Sequence, residues 1–235
     1  MLKYQKIAKN IEDYIRDNKM KQGDKLPVLE ELVVHFEAGK STVRRSLALL
    51  ESQGLVYQQH GSGIFVRTPK EKDYMDLTFN RGFAYEFSDY EVTYEVLSVE
   101  TKEAPPEVVE FLNIRPTDLV HYVKRLIRTD GKPTVIEESC YAASVIPHID
   151  EQIANESIFT HLKEVLKIRF GFSESYLVVE KLSKDEAKLL KLRSGDPRPC
   201  KITTFYLSDR TPFNYSKTIF HYKQSKFFIP IVKNY

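Results

Sequence analysis

Apolar residues in the first quarter of the chain recur at helical spacing in three bursts. Ile7, Ile11 and Ile15 stand four residues apart with Tyr4 and Tyr14 beside them. Lys, Asp and Glu fill the other positions, which predicts a helix over residues 3–18 with one stripe turned inward. Gly23 stops it, and Pro27 precedes a second helix, about Leu29 to Phe36, in which Leu29, Leu32, Val33 and Phe36 keep the spacing. After Ala38 and Gly39 a third helix runs from Lys40 to about Gln53 and is closed by Gly54. Two strand-like runs follow, Leu55–Gln59 and Ile64–Arg67, joined by a glycine-rich connector, His60-Gly61-Ser62-Gly63, that signals a tight hairpin. Helix, helix, tight turn, helix and hairpin is the order of a winged helix-turn-helix, here over residues 1–68. Pro69 and the charged run Lys70–Asp73 open a linker that extends to about residue 90.

From about Glu91 the pattern changes. Val92–Thr101 alternates, Pro105-Pro106 opens a short helix through Leu112, and the strands Leu119–Arg128 and Thr134–Ala142 flank a turn at Asp130-Gly131-Lys132. Ser157–Ile168 is amphipathic and helical, Ser173–Leu182 strand-like and Ser183–Leu190 a short helix. Cys200–Leu207 and Phe213–Tyr222 make a second hairpin around Ser208-Asp209-Arg210-Thr211. Residues 91–235 therefore predict an α+β domain with a mainly antiparallel sheet.

Composition narrows the functional classes. A chain of 235 residues suits two modest domains, and 42% hydrophobic residues suffice for ordinary cores. No uncharged apolar run approaches the ~18 residues of a membrane span. The N-terminus reads as an amphipathic helix rather than a leader, so a cytoplasmic protein is expected. Cys140 and Cys200 lie far apart and read as buried thiols, and the six histidines show no ligand spacing, so neither metal nor cofactor is expected. No nucleophile–base constellation or phosphate-binding glycine loop appears, so no enzyme activity is expected. The net charge is only +2, and residues 1–68 carry 11 Lys and Arg against 8 Asp and Glu. Position therefore has to make the case for nucleic acid.

On the third helix, Val43, Leu47 and Leu50 share one face and point into the small core. Lys40, Ser41, Thr42, Arg44 and Arg45 are left outside at its N-terminal end, with Lys40 and Arg44, and Ser41 and Arg45, aligned four apart. A helix entering the major groove by its N-terminus needs this chemistry: cations for phosphates and guanine edges, and short hydroxyls for phosphates or bases. The hairpin tip adds His60 and Gly61, where small residues let backbone approach a sugar–phosphate ridge.

The stretch QGDKLPVLEEL, followed by FEAGKSTVRRSLALLESQGLVYQQHGSGIFV, resembles the GntR family of bacterial transcription regulators from roughly Tyr4 to Val66. The resemblance implies DNA contacts from Lys40, Ser41, Thr42, Arg44, His60 and Gly61. Three positions depart from the family pattern: Glu30 stands where an Arg is usual, Gly39 where Ser is favoured as helix cap, and Lys40 where Arg is commoner. Glu30 repels a phosphate, so the operator is expected to differ from that of closer-matching members.

In the second domain, HYVKRLIRTDGKPTVIEESCY, GFSESYLVVEKLSKDEAKLLKL and RTPFNYSKTIFHYKQSKFF resemble the UTRA effector-binding domain of the family's HutC branch, a chorismate-lyase-like α+β fold. The resemblance places effector contacts at Arg125 and Glu137, loosely at Ser173 and Ser175, and at Asn214 where relatives carry an acid. A second arginine of sugar-phosphate-sensing members corresponds to Ile127, and Arg128 points to the opposite face. Arg125 opposite Glu137 also fits a plain cross-strand ion pair. The expectation is a homodimeric repressor of carbohydrate uptake or catabolism genes. It binds double-stranded, pseudo-palindromic operator DNA and is released by a small effector such as a sugar phosphate. An enzyme acting on a small anion, and a constitutive DNA-binding protein without effector, are the alternatives.

Overall fold

The inward stripes of the first three helices close on one another. The computed structural model describes residues 2–59, 61–67, 74–77 and 90–229. In it α1 (Lys3–Asp17), α2 (Leu29–His35) and α3 (Lys40–Ser52) bury Ile7, Ile11, Leu32, Val43, Leu47 and Leu50 around Leu26, Val56 and Val66. The wing is the antiparallel pair β1 (Val56–Gln59) and β2 (Gly63–Val66). The segment between α1 and α2 lies along the free side of β2. Gly23 N donates to Val66 O at 2.9 Å, Val66 N to Asp24 O at 2.8 Å, and Leu26 N to Ile64 O at 2.8 Å. The GDKLP stretch is thus a structural clasp on the wing, a pairing too remote in sequence to be read from local pattern.

The chain divides into two compact units, Met1–Phe79 with Phe227–Tyr235, and Asn80–Lys226. Within the expected linker, Tyr74–Asp76 forms a strand, β3. The second unit contains β4 (Val92–Glu103), α4 (Pro106–Leu112), β5 (Leu119–Thr129), β6 (Lys132–Ala142), α5 (Glu151–Ala154) and α6 (Ile158–Glu164). These are followed by β7 (Phe170–Lys181), α7 (Lys184–Leu190), β8 (Pro197–Leu207) and β9 (Pro212–Phe220). A last strand, β10 (Lys226–Phe228), pairs with β3.

Six of these strands form one sheet in the order β4-β5-β6-β9-β8-β7, antiparallel throughout. The β5–β6 hairpin turns at Asp130 and Gly131, both at positive φ (48° and 73°), the left-handed pair that matches strand twist in a two-residue turn. One sheet face packs α4 and α7 over Leu126, Ile136, Cys140, Cys200 and Ile219. The other packs α5 and α6 over Val123, Tyr141 and Phe213, with Phe159 and Phe205 beside them. α7 starts with a capping box, Glu186 N to Ser183 Oγ at 3.2 Å and Ser183 N to Glu186 Oε2 at 2.8 Å.

α5 is absent from the sequence reading, because four residues carry no periodicity. It is fixed instead by Asp150, whose carboxylate accepts from Ile153 N at 2.8 Å. Both cysteines are buried, and burial pushes the Cys140 thiol up to about 11. No helix among the described residues is long and apolar enough to cross a membrane.

Gly171 sits where the β7–β8 register shifts, and a Cβ there would overlap the Leu207 carbonyl. Gly171→Ala must push one backbone off another and is expected to lower stability by about 1–3 kcal/mol in denaturant unfolding. An unchanged midpoint would mean the strand edge yields freely.

Candidate functional site

Two surfaces carry chemistry, one in each unit. In the first, core packing of Val43, Leu47 and Leu50 turns the opposite side of α3 outward, leaving Lys40, Ser41, Arg44 and Arg45 exposed and Thr42 half-buried. Lys40 and Arg44 lie one turn apart on the same stripe. Arg45 leans the other way, its guanidinium 4.1 Å from the centre of the Tyr4 ring. Ser46 is fully buried and its hydroxyl donates to Tyr4 O (2.7 Å) or Thr42 O (2.8 Å), tying α3 to α1. Gly39 caps α3 through backbone geometry alone, with no side-chain bond. Glu30, at the start of α2, accepts from Lys40 Nζ at 2.7 Å. At the wing tip Gly61 has φ 74°, a conformation that favours glycine; His60 lies outside the described residues.

In the second unit the strands carry polar side chains on the face that α5 and α6 partly cover. Pairing aligns Arg125 with Glu137, Glu137 with Thr218, and Thr218 with Lys201 in one row across four strands. All four are less than a tenth exposed. The neighbouring row contains Ser139, Ser216, Thr203 and Ser175. Within it the Ser139 and Ser216 hydroxyls lie 2.7 Å apart and those of Ser175 and Thr203 3.0 Å apart. The third row holds His121, Tyr141, Asn214, Phe205 and Ser173. His121 is held between Thr101 Oγ1 and Ile146 O, each at 2.9 Å. Asn214 Nδ2 donates to Cys140 O at 3.1 Å, while its buried Oδ1 has no hydrogen-bond partner.

Arg125 is deeply engaged. Its Nε donates to Glu137 Oε2 at 2.8 Å and a second nitrogen reaches the same oxygen. The third donates to Ala154 O at 2.8 Å and Glu156 O at 2.7 Å, while the Tyr94 ring centre stands 4.7 Å from the guanidinium carbon. Burial pulls this guanidinium down, but the adjoining Glu137 carboxylate more than offsets that and holds it above its ordinary value. Ile127 is fully buried two residues on. Arg128 lies on the opposite face, bonded to Glu95 Oε2 at 2.6 Å.

The sheet thus brings Arg125, Glu137, Ser175, Ser173 and Asn214 onto one face, with Ser175 exposed toward its edge. It adds Lys201, Thr203, Ser139, Ser216 and Thr218, which the sequence reading missed. The signal existed: polar residues at every second position in Glu137–Ser139, Lys201–Thr203 and Asn214–Thr218. Alternation usually marks a solvated face, whereas both faces of these central strands are buried. A buried floor of two cations, one carboxylate and several hydroxyls suits a small polar anion, which needs charge and directional donors together.

Comparison with known proteins agrees with both units. Residues 3–66 match bacterial regulatory proteins of the gntR family, and residues 88–226 match the UTRA domain. The chain is 42% identical over 229 residues to the HTH-type transcriptional regulator YydK of Bacillus subtilis (strain 168), covering 97% of each. It is 29% identical over 226 residues to the mannosyl-D-glycerate transport/metabolism system repressor MngR of Escherichia coli (strain K12), covering 95% of this chain and 93% of MngR. The crystal structure of the possible transcriptional regulator YydK from Bacillus subtilis superposes with a TM-score of 0.85 over the whole of both chains, at 40% identity. With a winged DNA-binding head followed by a UTRA effector domain, the build of the HutC branch, the chain is a bacterial transcription regulator of the GntR family.

Proposed function

We propose that this regulator is a repressor of carbohydrate uptake or catabolism genes, released by an anionic sugar such as a sugar phosphate. Two copies grip the halves of a pseudo-palindromic operator in the cytoplasm, since a two-fold dimer reads a two-fold site. Lys40, Ser41, Thr42, Arg44 and the wing tip at Gly61 make the contacts. The effector enters the second unit and favours a pairing of heads that no longer fits the half-site spacing, which requires different affinity for the two states. The protein acts as a sensor, not as an enzyme.

The observation that carries the ligand class is the buried row of Arg125, Glu137, Thr218 and Lys201, where cations outnumber carboxylates. The likeness to MngR, named as repressor of a mannosyl-D-glycerate system, supports a sugar. Thermal unfolding of the full chain against sugars and sugar phosphates tests it. A phosphorylated sugar at about 100 times its Kd adds about 2.7 kcal/mol of stability and releases operator in a gel shift. Lys201→Met is expected to retain operator binding and lose both responses. Release by neutral sugars alone, or an unimpaired Lys201→Met, would reject an anionic effector.

A further inference from the structure

The two acidic residues of the first turn of α2 differ in what they do. Glu31 is structural, its Oε2 accepting from Val28 N at 3.0 Å to close the helix start. Glu30 makes no such bond. Its side chain is 68% exposed and accepts from the ammonium of Lys40, itself 54% exposed, at 2.7 Å through Oε1, besides a hydrogen bond with its own backbone. An ion pair this open contributes little to folding. It stands at the N-terminal end of α3, one turn from Arg44; the Lys40 ammonium first, then the residue's own backbone amide, and least the Arg44 charge hold the Glu30 carboxyl below its ordinary value.

A carboxylate carried to that end of α3 cannot serve a phosphate, which it repels. The DNA groups that suit it are exocyclic amines in the major groove. In a C·G pair the cytosine N4 amine lies beside the guanine O6 and N7 acceptors, an edge complementary to a carboxylate and an ammonium side by side. In a T·A pair the adenine N6 amine lies between two separate acceptors, N7 and a thymine O4 flanked by its methyl, so the cation loses the adjacent O6 and N7 acceptors that guanine offers. We propose that Glu30 and Lys40 form one base-reading pair, Glu30 accepting from a cytosine N4 amine and Lys40 donating to the guanine paired with it. This rests on the reading of α3 as the helix that enters the groove, and it deepens that reading by naming a base pair.

Selection from a random duplex library by the full chain tests it, with wild type, Glu30→Ala and Glu30→Arg in parallel. Wild type is expected to enrich a two-fold motif with one cytosine in each half-site preferred roughly tenfold to hundredfold. Glu30→Ala flattens that position and leaves the rest of the motif, and Glu30→Arg turns it to guanine. Melting curves of the variants overlay the wild type, because the side chain is exposed. A Glu30→Ala motif identical to wild type overturns the pair, as does a Glu30-dependent position that selects adenine. Failure of wild type to enrich any motif would instead overturn the DNA-binding reading beneath it.

Discussion

Glu137→Ala lowers the stability of the UTRA unit by about 3–5 kcal/mol, because it leaves a buried guanidinium without its counter-charge. Arg125 is 3% exposed and Glu137 7%. Replacing both partners, Arg125→Met with Glu137→Leu, is expected to recover most of the loss, since a well-packed apolar pair needs no compensating charge. Denaturant unfolding of the full chain, followed through the transition of the second unit, measures both. A Glu137→Ala variant within ~1 kcal/mol of wild type would show the pair to be as weak as an exposed one. The prediction also bears on ligand experiments. Arg125 already makes four hydrogen bonds to the protein. Its removal therefore confounds folding with sensing.

Arg44→Ala is expected to weaken operator binding by about 1–3 kcal/mol for each DNA-bound head. The neighbouring Val43 and Leu47 are buried in the head's core, which fixes α3 about its axis and leaves Arg44 facing out. Nothing in the core is disturbed by its truncation, so thermal unfolding of the head is expected to be unchanged. Gel-shift titration at one stated salt concentration measures the effect, because phosphate contacts are strongly salt-dependent. Unchanged affinity would mean that another stripe of α3 enters the groove.

Much of the fold was legible because its elements are local. The four-residue step of Ile7 and Ile11 and the Val43, Leu47, Leu50 face each reappear in the core. The Asp130-Gly131 turn starts the hairpin, but a one-residue register shift between Arg128 and Ile127, which leaves Thr134 as the extra residue, is what puts Arg125 opposite Glu137 rather than Ile136. The opposite orientation of Arg128 follows from strand alternation alone. What stayed hidden depends on contacts distant in sequence. Thr218 and Lys201 join the Arg125–Glu137 row only because β9 inserts between β6 and β8. Gly23 and Asp24 bond to Val66 for the same kind of reason. The ion pair of Glu30 with Lys40 spans two helices, so the sequence shows the unusual acid but not the cation that answers it.

The buried Ser46 hydroxyl has a mechanical consequence. With Arg45 stacked on Tyr4, it fastens α3 to α1 at two points, so the two helices turn as one lever. A motion of α3 therefore carries α1 with it rather than bending α3 alone. A fluorophore on the solvent side of α1, at Lys9 for instance, reports the direction of the reading helix without touching the surface that meets DNA.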